Sequence, residues 1–139
     1  MVDYMRGIKA GLPASIIHAI ILNVIILYFI GPSIIGITPA ELAQLGAGYW
    51  VNAIIGGIIE GIIIGVIFSA LYDRLPGKTS IIKGIIMGLI FWVIFGLLLG
   101  VVLYGFFAPL YGLEFVTEVF FFGILLGVFW DMFGGMKKT

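Results

Sequence analysis

No cysteine occurs in the chain, which excludes disulfides and thiolate chemistry and leaves the redox compartment undetermined. Histidine occurs once, so haem held by two histidines of one chain is excluded. No HExxH, CxxC or paired-histidine motif is present, and neither is a Walker motif or a dinucleotide fingerprint. No cofactor and no protein-ligated metal is therefore expected. A Ser-His-acid set exists formally as Ser15, His18 and Glu60. Ser15 and His18 are neighbours on one helix with no evident oxyanion donor, so no enzyme is expected.

Charge is scarce too. Only 10% of the 139 residues are charged, against 63% hydrophobic residues and a mean hydropathy of +1.29. Soluble domains carry roughly a quarter charged residues. A water-facing surface with so few charges would expose large apolar patches. Hydrocarbon is the expected solvent, with membrane lipid as the chief partner. Formal net charge is zero, so no global field recruits nucleic acid.

Apolar runs are what the chain has. A bilayer span needs about 20 apolar residues, and four stretches meet or approach that length: residues 11–30, 48–71, 81–107 and 116–133, the last being the shortest. The first is longer than the apolar core of a signal peptide, about 7–15 residues. The pairs Gly31-Pro32 and Ala108-Pro109 are expected to end the first and third spans, because proline cannot continue a helix. Thr38-Pro39-Ala40-Glu41 reads as a capping box that starts a short interfacial helix at about 39–45.

The 7 basic residues fall in three places: Arg6 and Lys9; Arg74, Lys78 and Lys83; Lys137 and Lys138. The remaining connections carry only Glu41, Glu114 and Glu118. Four crossings put all three basic sites on one face, which the positive-inside rule makes cytoplasmic. The expected fold is all-α, with four transmembrane helices, both termini cytoplasmic, in the cell membrane. Asp73, Arg74, Lys78 and Lys83 form the expected cytoplasmic anchor, with Asp73 paired to one of the cations.

Self-comparison suggests two tandem hairpins, at about 6–77 and 83–135. Arg6-Gly7-Ile8-x-x-Gly11-Leu12 matches Lys83-Gly84-Ile85-x-x-Gly88-Leu89, and Gly61 to Val66 matches Gly123 to Val128. Both hairpins close with an aromatic-Asp pair, Tyr72-Asp73 and Trp130-Asp131. Two copies with two crossings each share an orientation about an axis along the membrane normal. Glycines spaced by four (Gly57, Gly61 and Gly65; Gly84 and Gly88; Gly96 and Gly100; Gly123 and Gly127) mark faces where helix backbones can approach closely. Such faces exceed the needs of one four-helix unit, which suggests a homo-oligomer or a place in a larger membrane complex.

Glu60 is the acidic residue deep in a span, on a face with Ala53, Gly56, Gly57 and Ile64. A charge at that depth costs around 2.5–3.5 kcal/mol on insertion scales. Glu60 is thus a candidate ion or proton site, or a donor to Asn23, which lies at similar depth. His18, on a small-residue face with Gly11, Ala14 and Ser15, could exchange protons with it. Alignment of the hairpins puts Phe122 opposite Glu60, so a relay through both copies is not expected. The expected function is a small channel or transporter for an ion, proton or small solute. The alternative is a non-catalytic subunit that packs against larger partners through its glycine faces.

Overall fold

In hydrocarbon every backbone N–H and C=O must find its partner within its own segment, and for an open chain the helix is the solution. The computed structural model of the chain describes all residues except 1, 37, 100, 101, 103–107 and 135–139, and its secondary structure is helical. Helix α1 (Tyr4–Ile25) continues as a π-helical stretch, Ile26–Ile35. The short α2 (Pro39–Gln44) precedes α3 (Gly46–Leu71). Helix α4 (Ser80–Phe91) is prolonged by a π-helical stretch, Trp92–Leu99. Helix α5 (Ala108–Phe115) runs through a third, Val116–Phe122, into α6 (Gly123–Phe133). Among the described residues three helices are long and apolar enough to cross a membrane, Tyr4–Phe29, Gly46–Leu71 and Gly112–Phe133; Ser80–Gly96 is apolar but shorter.

The capping chemistry sets the helix starts. Asp3 accepts the Arg6 amide at 2.9 Å, so α1 begins well ahead of Gly11 and carries Arg6 and Lys9 within it. Thr79 accepts the Ile82 amide at 3.3 Å and opens α4. The capping box forms as expected: Thr38 N donates to Glu41 Oε2 at 2.7 Å, and Glu41 N donates back to Thr38 Oγ1 at 3.3 Å. Gly46, at a φ of +54°, then bends the chain between α2 and α3.

The first proline stop is corrected. The first helix passes through Gly31-Pro32 to Ile35, with Pro13 also inside α1. In an apolar solvent an interrupted helix strands polar groups, while a wider π turn accommodates the proline ring. Ala108-Pro109 stands at the described start of α5, the expected end of the third span lying against residues outside the described ones, and the fourth apolar run, Gly112–Phe133, begins ahead of Val116.

Glycine contacts set the packing of α1 on α3 and of α4 on α6. A Cβ on Gly7 would strike the carbonyl oxygen of Gly65, and one on Gly11 that of Gly61. Gly57 faces the Ser15 carbonyl oxygen at 3.1 Å. A Cβ on Gly84 would strike the Gly123 carbonyl oxygen, one on Gly88 that of Glu118 at 2.6 Å, and one on Gly127 that of Ser80 at 2.5 Å. Gly96 abuts only Trp92 of its own helix, and Gly100 lies outside the described residues. Gly57, Gly61 and Gly65, Gly84 and Gly88, and Gly123 and Gly127 thus pack against a neighbouring helix of the same chain. On the opposite side of α3, Ile55, Ile59 and Ile63 form an exposed stripe. Between the helix pairs, Ile64, Phe68, Met87, Phe122 and Leu126 build a dry core.

One end of the bundle is held by paired contacts. Arg6 Nε donates to the Trp130 carbonyl at 2.8 Å and its guanidinium lies 4.2 Å over the indole. Lys83 Nζ donates to the Tyr72 carbonyl at 2.7 Å and lies 4.1 Å over that ring. Tyr72 and Trp130 stack at 4.5 Å, and Ser80 Oγ donates to Asp131 Oδ1 at 2.5 Å. The starts of α1 and α4 and the ends of α3 and α6 therefore meet here. Asp73 is exposed and forms no ion pair among the described residues, contrary to the expected tether. Lys83 instead takes the carbonyl that the end of α3 leaves free. Arg74 and Lys78 are exposed.

Candidate functional site

Beyond the core, toward the α2 end, the close glycine contacts give out and the helices part around a cavity of about 320 Å³. The core-facing Phe122 ring packs against one of the cavity's lining residues, 5.7 Å from the His18 ring. Gly56 lines the cavity from α3 with nothing within 4 Å of where its Cβ would stand. The other three helices change to π winding near this level, after Ile25, Phe91 and Phe115. Such turns re-aim side chains and recur at functional sites. The third stretch carries Glu118 inward, where it is 8% exposed.

Three ligand-type side chains from three helices meet at the cavity. His18 comes from α1, Glu60 from α3 and Glu118 from the π-helical entry to α6, and one donor atom of each lies within 4.8 Å of the others. His18 Nε2 stands 3.4 Å from Glu118 Oε2. Neither His18 nitrogen, nor Glu118 Oε1, has a hydrogen-bond partner among the described residues. At 1.5 Å per residue, the three stand roughly 16–23 Å from the Arg6–Trp130 end, near the middle of a bilayer-thick bundle. Glu114 lines the same cavity, as does Trp92, which packs edge-on against Phe115 at 5.0 Å.

Of the residues singled out in the sequence, Glu60 and His18 are brought together, but Asn23 is engaged elsewhere. Its Nδ2 donates to the Ala19 carbonyl at 2.7 Å and its Oδ1 accepts the Tyr49 hydroxyl. Asn23 lines the cavity without bonding Glu60. Tyr49, at the start of α3, holds the amide oxygen.

Glu118 is the residue that sequence reasoning missed. The sequence reading counts it with an outer connection although it lies two residues inside the expected span 116–133; the helical run continuous from Ala108 buries it. The glycine alignment sets Phe122 opposite Glu60; in the structure Glu118, a turn earlier, lies beside Glu60. Gly7 meets Gly65 and Ser69, whereas Gly84 meets Gly123 and Gly127. Trp130 likewise lies against Tyr72. The signal lay in the spacing: each glutamate precedes its closing aromatic-Asp pair by the same number of residues. Comparisons with protein-family models, with curated proteins and with solved structures find nothing that matches the chain.

Proposed function

We propose that this chain is a small membrane transporter for a cation, the proton included, whose binding site is Glu60, Glu118 and His18. The observation that carries it is the meeting of two carboxyls and an imidazole, mid-bundle and beside a cavity, with His18 and Glu118 buried and short of partners. Ionisable groups at membrane depth are costly and, as a rule, mark ion paths. A purely structural role would call for satisfied hydrogen bonds, and here buried polar atoms are left open instead.

The chain crosses the membrane four times, with both termini cytoplasmic, as two hairpins related about the membrane normal. In support, Arg6 on Trp130 and Lys83 on Tyr72 are matched contacts that gather the basic ends of the bundle together. The cavity then lies toward the outer half, above the dry level of Phe122 and Phe68, which separates it from the cytoplasm. Passage inward requires that level to part, an alternating-access arrangement about a central site. Most of the glycines that an accessory subunit could offer to a partner pack inside this chain, which favours the transporter over that alternative.

The test is flux in proteoliposomes made from the purified chain, under imposed proton or Co²⁺ gradients read by trapped dyes. Wild type is expected to dissipate a gradient, and Glu60→Gln and Glu118→Gln to slow it at least about tenfold, as removal of a group acting at the transported ion should, while remaining monodisperse. No flux from wild type, or unchanged flux in both variants, overturns the proposal.

A further inference from the structure

We infer that the cluster of His18, Glu60 and Glu118 binds a divalent transition-metal cation of the zinc class. This deepens the reading of the cavity as a cation site by naming the cargo. Metal–nitrogen and metal–oxygen bonds of 2.0–2.2 Å at a tetrahedral ion place neighbouring ligand atoms about 3.3–3.6 Å apart. His18 Nε2 and Glu118 Oε2 are 3.4 Å apart, the edge such an ion needs. Glu60 completes the trio within 4.8 Å, and rotation of its side chain closes the remaining gap, since the neighbouring Gly56 position is open.

The donor set selects the ion. Calcium and magnesium take oxygen ligands, whereas a neutral imidazole suits zinc, copper, iron and nickel. A site meant for a hard cation gains nothing from His18, which is 3% exposed, aimed at the cluster and unsatisfied at both nitrogens. Two carboxylates beside a neutral imidazole carry two negative charges, and a divalent ion neutralises both where hydrocarbon penalises any residue of charge. Three protein ligands leave a fourth position open to the cavity, as exchangeable zinc sites do. Local motifs could not reveal the trio, because its members come from three separate helices.

The experiment is equilibrium binding of Zn²⁺ alone, and of Co²⁺ as an optical probe, to the full chain in detergent after chelator treatment. Expected are one metal per chain, visible Co²⁺ bands of tetrahedral intensity, and displacement of Co²⁺ by Zn²⁺ but not by Mg²⁺. His18→Gln, which keeps a polar side chain of similar reach, and Glu118→Gln should each weaken binding at least about tenfold, the lower bound for disturbing a metal shell. An unbound wild-type chain, or undiminished binding in His18→Gln that elutes as a folded species, overturns the inference. Proton flux that needs Glu60 without metal binding would remove the metal and keep the transporter; metal binding without any flux would do the reverse.

Discussion

Glu118 and Phe122 occupy one face of the same helix a turn apart, and both reach His18, the first with its carboxyl and the second with its ring. Which of them meets Glu60 depends on how glycine backbones seat against each other. Gly61 and Gly56 make the contrast testable. A Cβ on Gly61 would lie 2.7 Å from the Gly11 carbonyl oxygen, backbone that cannot swing aside, whereas Gly56 borders open space. Gly61→Leu should therefore destabilise by about 1–3 kcal/mol through overpacking, and Gly56→Ala should leave thermal unfolding in detergent nearly unchanged. Equal losses in the two would deny that the α1–α3 contact is set by glycine.

At the scale of elements, α2 stands on its cap. The Thr38 amide and hydroxyl hold the Glu41 carboxyl below the usual carboxylate range. A value depressed in the folded state means that this contact is fully present above the unfolded carboxylate's pKa, about 4.3, and is lost as pH falls through the lower folded value. Amide protection across Pro39–Gln44 should accordingly decay on acidification below that range and hold steady from there to neutrality. Thr38→Ala should remove about 1 kcal/mol of helix stability, read as a several-fold drop in the same protection at neutral pH. Protection independent of both pH and Thr38 would mean that packing, not the cap, holds α2. The π-helical stretches belong to this scale too, since three of the helices loosen their winding at the level of the cavity while α3 does not.

For the molecule as a whole, the predictions concern the bilayer. The chain has no cysteine, so single cysteines report sidedness cleanly. Val2→Cys and Lys78→Cys, both exposed, should react with a membrane-impermeant maleimide only from the cytoplasmic face, and Gln44→Cys only from the outer one. Val2 and Lys78 on opposite faces would break the four-crossing topology. The matched contacts at the Arg6–Trp130 end invite a second measurement. A double-mutant cycle of Arg6→Ala with Trp130→Leu should return a coupling of about 0.5–2 kcal/mol from the cation–π pair. A coupling near zero would reduce that contact to coincidence.

Composition by itself determined the solvent, and with it helices, because hydrocarbon offers no partner to a free backbone group. The cap at Thr38 and the close approach at glycines such as Gly61 and Gly65 were legible, since each depends on residues a turn or two apart. Span ends were less so: proline's local rule yields where the surroundings forbid an open backbone, as at Pro32. The site was legible only in part. His18 and Glu60 could be singled out as costly polar groups, but Glu118 looked like a connection residue until α5 and α6 were joined in one helical run. Its meeting with His18 and Glu60 follows from the rotation and one-turn offset of helices packed glycine to glycine. Those are contact distances between backbones far apart in the chain, and only the tertiary structure could decide them.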